Sequence, residues 1–278
     1  MKYSLMRFPD FRRKAVTFSY DDGVKYDKRL IDVFNANGLK ATFNINSGLF
    51  ANETGGRRLT KDEAVALYKD SPHEIAVHGY KHLSLTETDK GCATYEITRD
   101  RAELEETFGR IVQGMAYANG AYDDGVVDVL KNCGIKYART TVATECFSVP
   151  TDWLRMPATC HHNHPRLMEF AKIFVETGDD WYSWRNTAML FYVWGHSYEF
   201  NDNNNWEIIE EFAKYIGGRE EIWYATNGEI YDYVQAFERL EFTMDGKIAF
   251  NPSAIPVWFV GLNGKNYKIE AGQTLKLD

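Results

Sequence analysis

An α/β barrel of alternating strands and helices, followed by a small C-terminal β extension, is the fold that this 278-residue sequence predicts. Three patterns predict it. Apolar, β-prone runs at residues 15–20, 75–77 and 190–195 each lead into a titratable side chain. Two connections, 32–41 and 128–137, read alike as a helix end, a glycine cap (Gly38, Gly134) and a new strand, the turn that every βα unit needs. Beyond residue 240 the pattern changes to short β-prone runs, 257–260 and 267–269, set between Asp245-Gly246 and Asn263-Gly264.

In chain order, the run 15–20 alternates and reads as a strand, ending at Asp21-Asp22-Gly23. Thr60-Lys61-Asp62-Glu63 is a capping-box pattern that opens a helix. The stretch 75–77 is a strand that ends at His78-Gly79-Tyr80-Lys81-His82. Tyr122-Asp123-Asp124-Gly125 repeats the four residues at 20–23 with no strand-like run before them, so it reads as a helix cap. Residues 190–195 form a buried-strand pattern ending at His196, 205–216 a helix stopped by Gly217-Gly218, and 222–226 a late strand. Residues 1–240 are therefore expected to form the barrel and 241–278 a β-rich extension packed on one end of it.

Composition bounds the function classes. A net charge of −8 with no basic cluster disfavours a nucleic-acid or anionic-membrane partner, and no apolar run is long enough to span a bilayer. The N-terminal residues lack the apolar stretch of a secretory signal, so the chain as written is expected in the cytoplasm. Cys92, Cys133, Cys146 and Cys160 include no Cys-x-x-Cys pair and read as free, buried thiols. Aromatic residues make up 15% of the chain; Trp181, Tyr182 and Trp184 could stack on sugars, but rings mostly fill cores.

The chemistry lies at the strand ends, where α/β folds gather functional groups. Two adjacent carboxylates leaving a strand point in different directions, so one can ligate a metal while the other takes a proton. His78 and His82, four residues apart, can present two imidazoles to one ion, and with Asp22 they make a carboxylate–histidine set suited to zinc. His196 suits a general acid. Three strand ends carrying Asp-Asp, His-x-x-x-His and His imply one shared rim. Cys160-His161-His162-Asn163-His164 is a rival metal cluster, but adjacent histidines rarely ligate one ion and no carboxylate is near in sequence, so it reads as a loop.

On these residues the sequence resembles the polysaccharide deacetylase family, the NodB homology domain or carbohydrate esterase family 4, over residues 14–230. Ser19-Tyr20-Asp21-Asp22-Gly23 is similar to the family's Thr-Phe-Asp-Asp-Gly motif, which implies Asp21 as catalytic base and Asp22 as metal ligand. His78 and His82 match its His-x-x-x-His ligands, with Gly79 in place of the usual Ser or Thr, and His196 matches its general acid. The Arg-Pro-Pro-Tyr-Gly-type motif is met by Ala116-Tyr117-Ala118-Asn119-Gly120 and Tyr122. The arginine that holds the catalytic Asp is absent there, and Arg139 and Arg155 are the substitutes in view. The resemblance implies an oxyanion donor at the Asn119 amide, with Tyr122 beside the substrate. It also implies an Asp152-Trp153 buttress for the acid; because the cluster at 160–164 follows that pair closely through Arg155, one of its histidines, His161, is expected at the rim.

What the resemblance implies is a distorted (β/α) barrel of NodB type that removes N- or O-linked acetyl groups from a poly- or oligosaccharide. Its cofactor is one divalent ion, zinc first, with cobalt, nickel or manganese as alternatives. The expected partner is an acetylated carbohydrate, and the oligomeric state is left open. The competing readings are hydrolysis of a non-sugar amide or cyclic imide on the same barrel, and a carbohydrate-binding homologue without catalysis, for which the absent arginine speaks.

Overall fold

The computed structural model describes residues 3–178 and 186–277; Trp181, Tyr182 and Trp184 lie outside them. The strands are β1 (Met6–Arg7), β2 (Lys14–Asp21), β3 (Ala41–Ile45), β4 (Glu74–Val77), β5 (Gly114–Ala116), β6 (Tyr137–Ala143), β7 (Met156–Ala158), β8 (Cys160–His161), β9 (Met189–Gly195) and β10 (Ile222–Tyr224), followed by β11 (Glu241–Phe242), β12 (Ile248–Phe250), β13 (Val257–Val260), β14 (Asn266–Ile269) and β15 (Thr274–Lys276). The helices are α1 (Asp27–Ala36), α2 (Lys61–Tyr68), α3 (Lys90–Phe108), α4 (Asp124–Asn132), α5 (Leu167–Glu176), α6 (Ser197–Asp202), α7 (Glu207–Ile216) and α8 (Asn227–Glu238).

The main sheet is parallel, in the order β7-β6-β5-β4-β3-β2-β9-β8, with β10 beside the start of β2. Its two ends meet in one stretch of chain. Met156 and Ala158 pair with β6, Cys160 and His161 pair with β9, and the amide of Thr159 between them donates to the Tyr192 carbonyl at 2.8 Å. The sheet thus curls into the distorted barrel that the sequence predicts. The cluster at 160–164 departs from its reading as a loop: its first two residues are a strand, because β9 needs a partner on its outer edge.

Every residue of β2 is buried, as expected of a parallel strand covered on both faces. Its alternation decides which groups enter the barrel. Val16, Phe18 and Tyr20 pack outward among Phe34 of α1, Phe43 and Phe212 of α7. Each fully buried ring there contributes roughly 1.5–3 kcal/mol. Thr17, Ser19 and Asp21 take the opposite face, toward a polar interior where Thr17 bonds Asn227 and Asn44 bonds Ser19.

Local signals place the helices. Thr60 and Glu63 form the capping box of α2, and Asp123 caps α4 by accepting from the Val126 amide, as read from the sequence. The C-terminal strands form two three-stranded antiparallel sheets, β11-β12-β15 and β1-β13-β14, the latter recruiting β1 from the start of the chain. Cys133 and Cys160 are buried free thiols, whereas Cys146 is exposed, contrary to the expectation for it, because it sits in the loop after β6. Among the described residues no helix is long and apolar enough to cross a membrane.

Candidate active site

Asp21 is the last residue of β2, and the strand's alternation turns its carboxylate into the barrel, 2% exposed. One oxygen, Oδ1, accepts from Asn44 Nδ2 at 2.8 Å, and the other is bound by the fully buried guanidinium of Arg139. Burial alone would raise the pKa of this carboxyl. Arg139, with His78 and His196 behind it, wins and holds it at about 2, so Asp21 is an anion at any ordinary pH. Arg139 also lies 4.4 Å above the Trp194 ring, which fixes its plane.

Asp22 opens the loop with φ +86°, a left-handed conformation that swings its side chain away from that of Asp21. Arg58, which the sequence reading missed, binds the Asp22 carbonyl and holds Oδ1 at 3.1 Å, with a second contact to Asn46. No motif marked it: it stands beside Arg57 in a polar loop.

His78 follows β4 and is buried; its Nδ1 lies 2.9 Å from the Ala116 carbonyl, so that nitrogen carries the proton and Nε2 keeps its lone pair. Burial favours the neutral ring, against Asp21 and Asp22. The loop to His82 is held by its neighbours. Asn46 donates to the carbonyls of His78 and Gly79, Glu96 of α3 accepts from the Lys81 amide, and Asp100 one turn on accepts from the His78 amide at 3.0 Å. Gly79 takes φ +82°, a left-handed conformation that favours glycine. His82 Nε2 comes within 3.7 Å of Asp22 Oδ1, and one ligand atom from each of Asp22, His78 and His82 lies within 4.8 Å of the others. Two imidazoles, one of them tautomerically fixed from behind, with one carboxylate fit a divalent ion.

His196 follows β9, and its Nε2 lies 3.8 Å from Asp21 Oδ2, the same separation as His78 Nε2. Its Nδ1 is 3.0 Å from Glu199 Oε1. Burial would lower the affinity of His196 for its proton, but the Glu199 bond and the Asp21 charge outweigh it and raise that affinity. Glu199 is a hub: Oε2 lies 2.8 Å from His162 Nε2, 3.2 Å from His161 Nε2 and 3.0 Å from Asn163 Nδ2. These contacts overturn the upward push of burial and hold Glu199 well below the usual carboxylate range. Gly195 is required by this packing, since a Cβ there would stand 2.0 Å from His162 Nδ1. His161 accepts the Asn163 amide on Nδ1, which leaves Nε2 protonated toward Glu199. It therefore serves the carboxylate, and the cluster 160–164 finds in space the acidic partner that it lacks in sequence.

The remaining predicted residues divide. Asn119, at φ +56°, lines the same cavity of about 360 Å³ as Asp21, Asp22, His78, His82 and His196, and its side chain bonds Ser84. Tyr122 does not line that cavity; it stacks on Tyr117 at 5.1 Å. The Asp152-Trp153 pair does not buttress His196, whose Nδ1 faces Glu199. Asp152 caps a 3₁₀ turn and pairs with Arg155 at 2.8 Å, while Trp153 packs edge-on against Tyr231. Arg155, joined to Asp124 and Asp152, does not supply the missing arginine; Arg139 binds Asp21 instead.

Comparisons with known proteins bear on the fold and on the family that the chain resembles. Residues 9–138 match the family profile described as "Polysaccharide deacetylase". Over 102 residues the chain is 31% identical to a protein of Arthroderma benhamiae described as "Probable peptidoglycan-N-acetylglucosamine deacetylase". The match takes in 36% of this chain and 21% of that relative, so the chain spans about a fifth of its length. A polysaccharide deacetylase candidate from Mycobacterium smegmatis superposes with a TM-score of 0.60 at 16% identity, over 84% of this chain and 94% of that one. A family 4 carbohydrate esterase from Streptomyces lividans, solved with acetate, gives 0.51 at 16%, over 76% and 92%. At these identities the two structures speak to the fold.

Proposed function

We propose that this chain, whose residues 9–138 match the polysaccharide deacetylase profile, hydrolyses N- or O-linked acetyl groups on a poly- or oligosaccharide. The observation that carries this reading is the convergence of Asp21, the Asp22–His78–His82 set and His196 in one cavity from three separate strand ends.

Asp22, His78 and His82 would hold the ion. When bound, a divalent ion, zinc first and cobalt, nickel or manganese as alternatives, supplies Lewis-acid polarisation of the acetyl carbonyl and acidifies water. Asp21, ionised and held by Arg139 and Asn44, takes the proton of the attacking water. The Asn119 amide donates to the developing oxyanion. His196, whose proton Glu199 secures, protonates the departing amine or alcohol from Nε2. Trp194 walls the cavity beside both proton-transfer groups.

Asp21→Asn tests the assignment of roles. Turnover should fall by about 10²–10⁴-fold, while elemental analysis still finds one bound ion per chain. Full activity in this variant would remove Asp21 from the reaction. The alternative of a binding protein without catalysis drew on the absent arginine at position 116, and Arg139 against Asp21 takes that support away.

A further inference from the structure

Of the aromatic rings around the cavity, most are already engaged. Tyr117 is buried and donates its hydroxyl to the Leu154 carbonyl, and Trp194 carries Arg139 on its face and His161 against its ring. Tyr80 is stacked by Lys81 and Arg99 and does not line the cavity. Tyr198 differs. It stands two residues beyond His196 on α6, lines the cavity, and places its ring centroid 5.1 Å from the His196 ring. Arg57 lies 4.9 Å above the Tyr198 ring and is itself held by both oxygens of Asp202, at 3.1 and 2.9 Å. Among the described residues the Tyr198 hydroxyl has no hydrogen-bond partner. The helix carrying it is pinned one residue earlier, where Ser197 donates to buried Asp27.

We propose that Tyr198, clamped by Arg57 and Asp202 beside His196, is the platform on which the sugar ring bearing the acetyl group stacks. This rests on the deacetylase reading and names the substrate-positioning residue of the same site. The leaving nitrogen or oxygen must come within hydrogen-bond reach of His196, so the pyranose that carries it comes to rest against the nearest fixed ring. An aromatic face offers an apolar surface to the C–H face of a pyranose and leaves the sugar hydroxyls to water or polar neighbours. Because Arg57 holds the ring in place beforehand, little rotamer freedom is lost when the sugar binds. An acetyl ester with no sugar gains nothing from such a platform.

The test separates binding from turnover. Calorimetric titration of the wild-type enzyme with glucosamine and xylose tetramers, which carry no acetyl group, reads the platform alone. Kinetics on the acetylated tetramers and on 4-nitrophenyl acetate read the reaction. Tyr198→Leu should weaken tetramer binding about tenfold and raise KM to match. Its loss in kcat/KM on the tetramers should exceed its loss on the small ester by a similar factor. Tyr198→Phe, which keeps the ring, should bind as the wild type does, and Arg57→Met should weaken binding severalfold. Equal tetramer affinity in Tyr198→Leu and wild type, or no tetramer binding by the wild type, overturns the platform. Tetramer binding that depends on Tyr198, with no acetate release by the wild type, upholds the platform and overturns the deacetylase reading alone.

Discussion

Arg139 on β6 stands directly across the parallel ladder from Ala116 on β5, and its guanidinium reaches the Asp21 carboxylate on β2. The family pattern places an arginine at the position of Ala116. Here the cation has moved to the neighbouring strand at the paired register, from which its longer reach across the barrel still ends on the same carboxylate. The pair is fully buried, so it is fixed in geometry and unshielded by water.

Removing the cation leaves a buried, unpaired carboxylate. Arg139→Met should lower turnover by roughly 10²-fold through misplacement of Asp21 and cost about 3–5 kcal/mol of stability. Placing the cation back on its original strand, as Ala116→Arg combined with Arg139→Ala, should recover part of both. Steady-state kinetics and urea unfolding of the single and double variants check this; a double variant no better than Arg139→Ala in either measurement would contradict it.

The carboxylate behind His196 sets when the acid is charged. Glu199 raises the proton affinity of His196, so activity should persist to higher pH than an ordinary imidazole allows and fall as pH rises through that raised value. In Glu199→Gln this support is lost, and the basic limb of the kcat profile should move to lower pH. An unmoved basic limb would mean that another group donates the proton.

Two buried carboxyls pull stability in opposite directions with pH. Burial pushes Asp27 up to about 7, against its bonds from Ser197, Tyr68 and the Val24 amide. Its unfolded value is about 4, so the native state binds the proton more tightly. Its contribution is therefore complete below that value and is lost as pH rises through about 7. Asp21, depressed to about 2, behaves oppositely: it stabilises above the unfolded value and is lost as pH falls. Wild type should accordingly lose stability relative to Asp27→Asn between roughly pH 4 and 7, at up to about 1.4 kcal/mol per unit. Urea unfolding of both across that range would show it, and a constant difference would contradict it.

Much of the site was legible because strand alternation is a strong local signal. A strand ending in Asp-Asp tells that the two carboxylates point in different directions, and apolar runs lead into His78 and His196, with His82 four residues on; which Asp plays which part came from the family resemblance. The groups that hold these residues were not legible, because they act across the fold. Arg58 is 36 residues from Asp22 and Asp100 is 22 from the amide it fixes, while Arg139, 118 from Asp21, stood in the sequence only as one of two candidate substitutes. Glu199 was missed as well, although it stands one helical turn after His196 in a His-x-x-Glu spacing that could have marked it. Asp152-Trp153 misled because a dipeptide carries no spacing, and its Asp is spent on a local cap. The break between β7 and β8, which joins the two ends of the sheet, has no local signature either.

The central claim is a metal-assisted deacetylase centred on Asp22, His78 and His82. The most direct measurement is acetate release from acetylated chito- and xylo-oligosaccharides and from a chromogenic acetyl ester, after chelation and after adding back zinc, cobalt, nickel or manganese. Release that disappears on chelation, returns with one ion per chain and is absent in His78→Ala is the predicted result. No release with any ion, from a chain that binds one ion tightly, would contradict the account and turn attention to non-sugar amides.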